Sequence, residues 1–394
     1  MIEVKDTGIK SYHPDMDGDP LYVTKGYCHY SHEGTKDFLD YITAYQPEDG
    51  GVTFLVNTFR GSKAQVRIRF VSPTAFRFQM FPHLAQPKLN EVFGFAPVSG
   101  VQVTEEPLFI VVKTERVTLR LRKCPWEMTV ELDGEPLTME QIKDHNVDQK
   151  YKAVPVGFSV GDDGRILNAF ETMYMHCDEA FYGFGEKFTS FNKRGQKITV
   201  WQQDAQSTNS DVSYKGMPYF MMNTYTRTHF NMGASSGVSY TMETEDPYLD
   251  YYMFCNRDYK GLIRDYTALS GRSAMIPRWA FGFWMSRMSY MSRQEVEEIV
   301  DQMAKFGMSV DVIHIDGWLD GGKELLCFDE ERFPDPEGMI KSLREKGIHL
   351  SLWMFPYVHA VDRKGRFSEQ FKIMNERGYL VKNQKGEPYL FSPG

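Results

Sequence analysis

The chain has 394 residues, of which 42% are hydrophobic and 25% are charged, a composition typical of globular proteins with two or three domains. Its net charge of −8 excludes the basic surface of a typical nucleic-acid binder, so no nucleic-acid partner is expected. There is no apolar amino-terminal leader and no run of ~18–20 apolar residues, so we expect no membrane partner and a cytoplasmic location. The five scattered cysteines favour buried, reduced thiols.

Short β-strands are predicted for the first part of the chain. Apolar and polar residues alternate over 66–70, 75–81 and 117–122, a pattern typical of half-buried strands. The pair Asp133-Gly134 between two short apolar runs predicts a hairpin turn. Together these features predict an antiparallel β-sandwich over residues 1–257.

The pattern changes near residue 258, where apolar side chains fall at helical spacing and predict a linking helix within 258–274. Strand and helix patterns then alternate over 275–394. Strands are predicted at 281–285, 310–315 and 348–355, and helices after the capping box at Ser292, after Asp335-Pro336, and from about Ser368 to Arg377. A doubly wound sheet and a (β/α)8 barrel both fit this alternation. A complete barrel takes ~250 residues, so this segment has room for about three of the eight units.

Candidate ligand-binding residues follow these strands, because ligands of parallel β/α folds bind at the carboxyl ends of the strands. Asp316 ends an apolar strand, where its charge needs a ligand or an arginine partner, and an N-cap or structural salt bridge is the alternative. Gly317 permits close backbone approach, or an ordinary turn. Trp318 and Trp353 could stack on a sugar, although each alone is more typical of a core aromatic. Aromatic residues make up 14% of the chain, which suits both a sandwich core and a sugar site.

The sequence motifs do not support dinucleotide binding, hydrolysis by a serine triad, or metal binding. The lone G-x-G at Gly183 lacks the rest of a dinucleotide fingerprint, and no G-x-S-x-G hydrolase motif occurs. His314, His349 and His359 lack metal-ligand spacing, so we interpret them as structural and predict neither a metal nor an organic cofactor.

Several blocks between about residues 181 and 357 resemble glycoside hydrolase family 31, the retaining α-glucosidases and α-xylosidases. Residues 1–170 are similar to the family only in their β character. The blocks are Phe181–Phe188, Lys193–Gln196, Trp201–Asp204, Tyr214–Tyr219, Tyr266–Arg272, Ile276–Gly282, His314–Trp318 and Phe333–Met339.

The resemblance implies an antiparallel β-sandwich followed by about three β/α units of an incomplete (β/α)8 barrel. It also implies that Asp316 hydrogen-bonds the sugar in subsite −1, next to Gly317, with Trp318, Trp353 and Tyr290 around that subsite. A sandwich loop at about 190–215 would contribute Trp201 and Asp204. In the family, the nucleophile and the acid/base carboxyl groups lie ~5–5.5 Å apart and follow strands four and six. We therefore expect them beyond Gly394, with no catalytic residue in the chain and an inactive fragment.

The sequence His314-Ile315-Asp316-Gly317-Trp318 is similar to the α-xylosidase branch of the family, which has an aromatic residue where α-glucosidases have a second aspartate. An aromatic ring at position 318 could crowd the C6 hydroxymethyl group of glucose, whereas Gly317, which has no side chain, leaves additional space for the sugar. The implied substrate is an α-linked oligosaccharide or α-xyloside that loses a terminal xylose or glucose. The alternative function is that of a non-catalytic carbohydrate-binding fragment. The sequence is also compatible with a homo-oligomer.

Overall fold

The chain forms two compact units in a computed structural model, Met1–Arg272 and Ser273–Gly394. The first is an antiparallel β-sandwich, and the second contains parallel strands that alternate with helices, which confirms the predicted fold class. The structure describes residues 5–6, 34–84, 96–140, 156–202, 213–217, 228–234, 237–287, 290–319, 327–354, 357–361 and 368–390.

The first unit is built almost entirely of antiparallel strands and ends with one helix. Its described elements are β1 Lys5–Asp6, β2 Thr35–Glu48, β3 Gly51–Thr58, β4 Lys63–Ser72, β5 Ala75–Pro82, β6 Gln102–Glu105, β7 Phe109–Lys113, β8 Val117–Lys123, β9 Trp126–Leu132, β10 Glu135–Met139, β11 Val156–Val160, β12 Ile166–Tyr174, β13 Lys197–Val200, β14 Thr228–Asn231, β15 Ser239–Thr244, β16 Leu249–Phe254 and α1 Tyr259–Ser270.

Two sheets account for the described strands of this unit. The larger has the order β13-β14-β15-β12-β11-β2-β3-β4-β5-β16, with β1 paired to β2, and the smaller has the order β10-β9-β8-β7-β6. One hydrophobic core takes side chains from both sheets. Phe54 of β3 meets Trp126 of β9 edge to face, with ring centroids 6.0 Å apart. The predicted turn at Asp133-Gly134 joins β9 to β10, and both residues have positive φ, 53° and 85°.

Strand β5 departs from the predicted half-buried pattern, because all eight of its residues are buried. The polar residues on its second face find partners on β16. The Arg77 guanidinium donates to both carboxylate oxygens of Asp250, at 2.7 and 2.6 Å, and Gln79 donates to one of them at 3.2 Å. The alternation therefore marks two faces correctly, but the polar face is buried through an ion pair rather than exposed.

The second unit has three parallel strands in chain order, β17-β18-β19, with helices between them. Its described elements are a 3₁₀ helix Arg278–Phe281, β17 Trp284–Arg287, α2 Arg293–Lys305, β18 Val312–Ile315, α3 Pro336–Glu345, β19 His349–Leu352 and α4 Glu369–Glu376. All three predicted strands are present but shorter than predicted, and Phe281, predicted to open the first of them, instead ends a 3₁₀ helix.

The helix signals in the sequence are confirmed. Ser292 caps α2 by accepting a hydrogen bond from the Glu295 amide at 3.2 Å, while the Glu295 carboxylate returns to the Met291 amide at 2.6 Å rather than to Ser292. Asp335 caps α3, and Ser368 caps α4. None of the helices given above has the length and apolar character of a membrane-spanning segment.

Candidate functional site

The parallel sheet of the second unit has one face packed in an apolar core and another that carries polar groups toward its carboxyl end. Ile313 and Ile315 of β18 are buried in a core with side chains of α2 and α3. Because successive residues of a strand point to opposite faces, His314 and Asp316 lie on the face away from that core. In the sheet register His314 is paired with Ser286 of β17 on one side and with Ser351 of β19 on the other. The polar face therefore presents a row of hydroxyl and imidazole groups that leads to Asp316.

Asp316 is the first residue after β18, at the carboxyl end of the sheet. Its Oδ1 lies 2.9 Å from Nε2 of His314, and the side chains of Asp316 and His314 are 39% and 26% exposed. The other ring nitrogen of His314, Nδ1, is hydrogen-bonded to Oγ of Ser351 at 3.0 Å. The described partner of Asp316 is thus a histidine two residues earlier, rather than the arginine considered from sequence, and its carboxylate keeps an exposed surface.

Arg332 ties together the segments that follow β17 and β18. Its guanidinium donates to the carbonyl oxygens of Gly317 at 2.6 Å, Tyr290 at 2.7 Å and Met291 at 3.1 Å. It also lies over the ring of Phe333, 5.1 Å from the centroid. Sequence reasoning did not identify Arg332, because a loop arginine has no spacing signal and its partners are backbone atoms about 15–42 residues away.

The three predicted aromatic residues have unequal exposure. Trp318 is 6% exposed, packs 4.9 Å from the Phe328 ring and donates from its indole nitrogen to the Trp353 carbonyl oxygen at 2.5 Å. Tyr290 is fully buried; its hydroxyl donates to the Met285 carbonyl oxygen at 3.3 Å, and burial raises its pKa. Trp353, by contrast, is 44% exposed. The ring of Trp353 is therefore exposed in this chain, whereas Trp318 and Tyr290 pack in the core beneath the strand ends.

Trp353 is anchored at the same end of the sheet as Asp316. Its backbone amide donates to the carbonyl oxygen of Ile315 at 3.0 Å, which continues the pairing of β18 and β19 by one residue. The Trp318 amide in turn donates to the carbonyl oxygen of Asp316 at 3.1 Å. The backbone thus positions an exposed aromatic side chain and a partly exposed carboxylate on adjacent strands.

The sandwich-loop residues predicted for the site lie in the first unit. Trp201 is 44% exposed and directly follows β13, whereas Asp204 lies outside the described residues. The next residue, Gln202, exchanges two hydrogen bonds with the backbone of Gly216, at 2.7 and 2.6 Å. Gln202 thus closes the segment after β13 onto residues 213–217.

Two of the blocks that carry the family resemblance also meet in the first unit. The Glu186 amide donates to the Lys215 carbonyl oxygen at 2.8 Å, and the Met217 amide donates to that of Phe184 at 3.1 Å. Gly185 has φ of +77°, and a Cβ there would lie 1.9 Å from the Lys215 carbonyl oxygen. Its glycine is therefore required by backbone contact within the sandwich, not by a phosphate.

One described cluster combines metal-ligand side chains. The donor atoms of His176, Cys177 and Asp178 lie within 4.8 Å of one another, and all three residues are exposed. Cys177 departs from the expectation of buried thiols, whereas Cys255 is buried.

A β-sandwich followed by β/α units, with polar groups gathered where the parallel strands end, is the layout of an enzyme or binding protein whose site opens at the mouth of a barrel. The family models give the particular assignment. Residues 65–229 match the "Glycosyl hydrolase 31 N-terminal galactose mutarotase-like domain", and residues 273–394 match the "Glycosyl hydrolases family 31 TIM-barrel domain". The chain belongs to glycoside hydrolase family 31.

Individual relatives agree with this assignment. An alpha-xylosidase, XylQ of Lactiplantibacillus pentosus, is 29% identical over 322 residues, which cover 79% of this chain and 39% of the relative. Alpha-glucosidase 2 of Bacillus thermoamyloliquefaciens is 35% identical over 233 residues, covering 54% of this chain and 28% of the relative. The structure of a cycloalternan-forming enzyme from Listeria monocytogenes has a TM-score of 0.75 at 21% identity and covers 90% of this chain and 36% of its own. This chain thus spans well under half of each.

Proposed function

We propose that the protein acts as a retaining α-glycoside hydrolase that releases xylose or glucose from the non-reducing end of an α-linked substrate. In this proposal the described residues supply part of the sugar-binding subsite −1. The observation that carries the proposal is Asp316, whose carboxylate stays partly exposed at the carboxyl end of β18. Family 31 membership and the similarity to an α-xylosidase and an α-glucosidase support it.

The chemistry of the site suits a sugar. A carboxylate can accept hydrogen bonds from two neighbouring hydroxyls, and such charge-assisted bonds are stronger than neutral ones. The exposed ring of Trp353 can stack on the apolar face of a pyranose. Gly317 has no side chain to occupy the space beside Asp316.

Asp316 is a binding residue in this proposal and not the nucleophile. Retaining hydrolysis needs a second pair of carboxyl groups, one to form the covalent glycosyl-enzyme and one to act as acid and then base. By family resemblance, these groups follow the fourth and sixth strands of the barrel. We accordingly expect the 394-residue chain to bind sugar without hydrolysing a glycoside, with Trp201 and Asp204 as further proposed contacts.

The test compares p-nitrophenyl α-xyloside with p-nitrophenyl α-glucoside as substrates. The protein expressed from the complete gene is assayed beside the 394-residue chain. Asp316→Ala should lower kcat/KM about 100-fold or more, because a charged hydrogen-bonding partner of the substrate is lost. Asp301→Ala is the matched control, since Asp301 lies on α2 with its side chain 67% exposed. A near-wild-type kcat/KM for Asp316→Ala contradicts the assignment of Asp316, and hydrolysis by the 394-residue chain contradicts the placing of the nucleophile.

A second function is a carbohydrate-binding protein without hydrolysis. The observation that favours it is the pairing of an exposed tryptophan with a partly exposed aspartate on adjacent strands, which is sufficient for binding. Calorimetric titration with methyl α-xyloside distinguishes the two functions. Binding that is lost in Trp353→Ala, with no turnover by the complete gene product, favours this second function.

A further inference from the structure

We propose that Ser351, His314 and Asp316 form a relay in which Ser351 orients the imidazole of His314 and His314 orients the carboxylate of Asp316. The inference rests on the proposed role of Asp316 in sugar binding and adds two positioning residues to it. The geometry is a continuous chain of short contacts. Ser351 Oγ lies 3.0 Å from Nδ1 of His314, and Nε2 of the same ring lies 2.9 Å from Oδ1 of Asp316.

The sheet register makes this chain a consequence of the fold. His314 and Ser351 are paired across β18 and β19, so their side chains leave the sheet side by side on the same face. Asp316 follows His314 by two residues and therefore shares that face at the end of the strand. The relay runs across the sheet from Ser351 to His314 and then along β18 to Asp316.

The chemistry of imidazole gives each contact a direction. A neutral histidine has one nitrogen that donates and one that accepts. A carboxylate only accepts, so the nitrogen that faces Asp316, Nε2, carries the proton. Nδ1 is then the acceptor, and the Ser351 hydroxyl donates to it. When this hydroxyl is removed, Asp316 still selects the tautomer protonated on Nε2, but the ring loses its second anchor and can rotate away from the carboxylate.

A fixed carboxylate matters because Asp316 is 39% exposed. An exposed aspartate side chain samples several rotamers, and each rotamer lost on binding reduces affinity. His314 can hold one carboxylate oxygen in advance, which leaves the other aimed at the ligand. Preorganisation of this kind lowers the cost of binding without adding a contact to the sugar.

The chain contains its own control for Ser351. Ser286 is paired with His314 on the other side, across β17 and β18, and is exposed. Among the described contacts, the His314 ring is bonded to Ser351 and not to Ser286. Ser286→Ala and Ser351→Ala therefore remove the same group from equivalent register positions, and only the second interrupts the relay.

The first test reads the imidazole directly. In the 394-residue chain labelled with ¹⁵N-histidine, long-range ¹H–¹⁵N correlation at pH 8 should show His314 protonated on Nε2. Ser351→Ala should keep the proton on Nε2 but shift the ¹⁵N resonance of Nδ1, because that nitrogen loses the hydrogen bond it accepts. Ser351→Thr should restore the wild-type resonance, and Ser286→Ala should leave it unchanged. A proton on Nδ1 in the wild type, or an unchanged spectrum in Ser351→Ala, overturns the relay.

The second test measures turnover of p-nitrophenyl α-xyloside by the complete gene product. Ser351→Ala should raise KM about fivefold with little change in kcat, which corresponds to the ~1 kcal/mol typical of one hydrogen bond. His314→Gln, which retains a donor toward Asp316, should lie between the wild type and His314→Phe. If Asp316→Ala abolishes activity while Ser351→Ala and His314→Phe match the wild type, the relay is wrong and the site stands. If Asp316→Ala is neutral, the proposed function is wrong, and the imidazole spectrum still decides the relay.

Discussion

Strands β3 and β5 of the first unit are buried more completely than β17 and β19 of the second. In the sandwich, all eight residues of β5 are buried, and no residue of β3 is exposed. In the parallel sheet, three of the four residues of β17 are exposed, and β19 has no buried residue. Only the central strand, β18, approaches the burial of the sandwich, with three of its four residues buried.

The difference separates stability from the candidate site. Sandwich strands pack against a second sheet, whereas the described helices α2 and α3 share a core with one face of the parallel sheet. Parallel sheets are ordinarily covered on both faces, and the described residues supply a core for one face only. The polar groups at the strand ends lie outside the core of the second unit, whereas β3 and β5 contribute to the core of the sandwich. We therefore expect substitutions in the two units to have different consequences.

The largest effect should follow from Trp126→Ala in the sandwich. Trp126 is fully buried against Phe54, and its indole nitrogen donates to Oε1 of Glu140 at 3.3 Å. The cavity and the lost donor should together cost about 3–5 kcal/mol of unfolding free energy. Denaturant unfolding followed by circular dichroism measures this loss. Phe281→Ala, at a side chain 74% exposed in the second unit, should change it by no more than ~0.5 kcal/mol. Equal losses for the two variants would refute the comparison.

The pH dependence of unfolding should also originate in the sandwich. Burial raises the pKa of Glu171 to about 8 from 4.5, and burial together with Glu171 raises the pKa of Glu140. Folding therefore takes up protons between about pH 4.5 and pH 8, so stability is greatest at the acidic end of this window and falls as the pH rises through it.

Glu171→Gln should flatten this dependence, measured as the midpoint of thermal unfolding from pH 5 to pH 9. Tyr251 donates to Oε1 of Glu171 at 2.9 Å, which lowers the pKa of that carboxyl group. Tyr251→Phe should consequently extend the window to higher pH. If the unfolding midpoint of Glu171→Gln depends on pH as steeply as that of the wild type, a residue other than Glu171 causes the dependence.

In the second unit, Arg332→Gln should loosen the strand ends without unfolding the sandwich. Arg332 joins the carbonyl oxygens of Tyr290, Met291 and Gly317, and its loss should cost about 1–3 kcal/mol locally. Hydrogen exchange of the Trp318 amide should accelerate about 10-fold or more, because its bond to the Asp316 carbonyl oxygen lies in the segment that Arg332 holds. Arg344→Gln, at an exposed residue of α3, should leave that rate unchanged. Faster amide hydrogen exchange in the sandwich alone would contradict the expectation that Arg332→Gln affects only the second unit.

Local signals in the sequence predicted the elements, and long-range contacts explain what they missed. The hairpin at Asp133-Gly134 and the cap at Ser292 depend on backbone geometry within a few residues, and both are confirmed. The burial of Arg77 depends on Asp250, which is 173 residues away in the chain. The contact of His314 with Ser351 depends likewise on strand register, so the sequence suggested only that His314 and Asp316 share a face.

The solvent exposure of the candidate site residues could not be predicted from the sequence either. Trp318 and Trp353 have similar positions after adjacent strands, yet one is 6% exposed and the other 44%. Their difference arises because Trp318 packs against Phe328, which belongs to a later loop. The roles predicted for these residues in sugar binding stay predictions.

The smallest effect should come from Ser292→Ala at the start of α2. The Ser292 hydroxyl accepts the Glu295 amide at 3.2 Å, and loss of such a cap costs about 1 kcal/mol, whereas Ser292→Asp keeps an acceptor and should cost less. Because α2 contributes to the core beneath β18, the loss should appear in hydrogen exchange of α2 and β18 and leave the exchange of β3 and β5 unchanged. Equal acceleration in β3 would mean that the sandwich and the parallel sheet unfold as one cooperative body, and the separation of stability from the site would then be wrong.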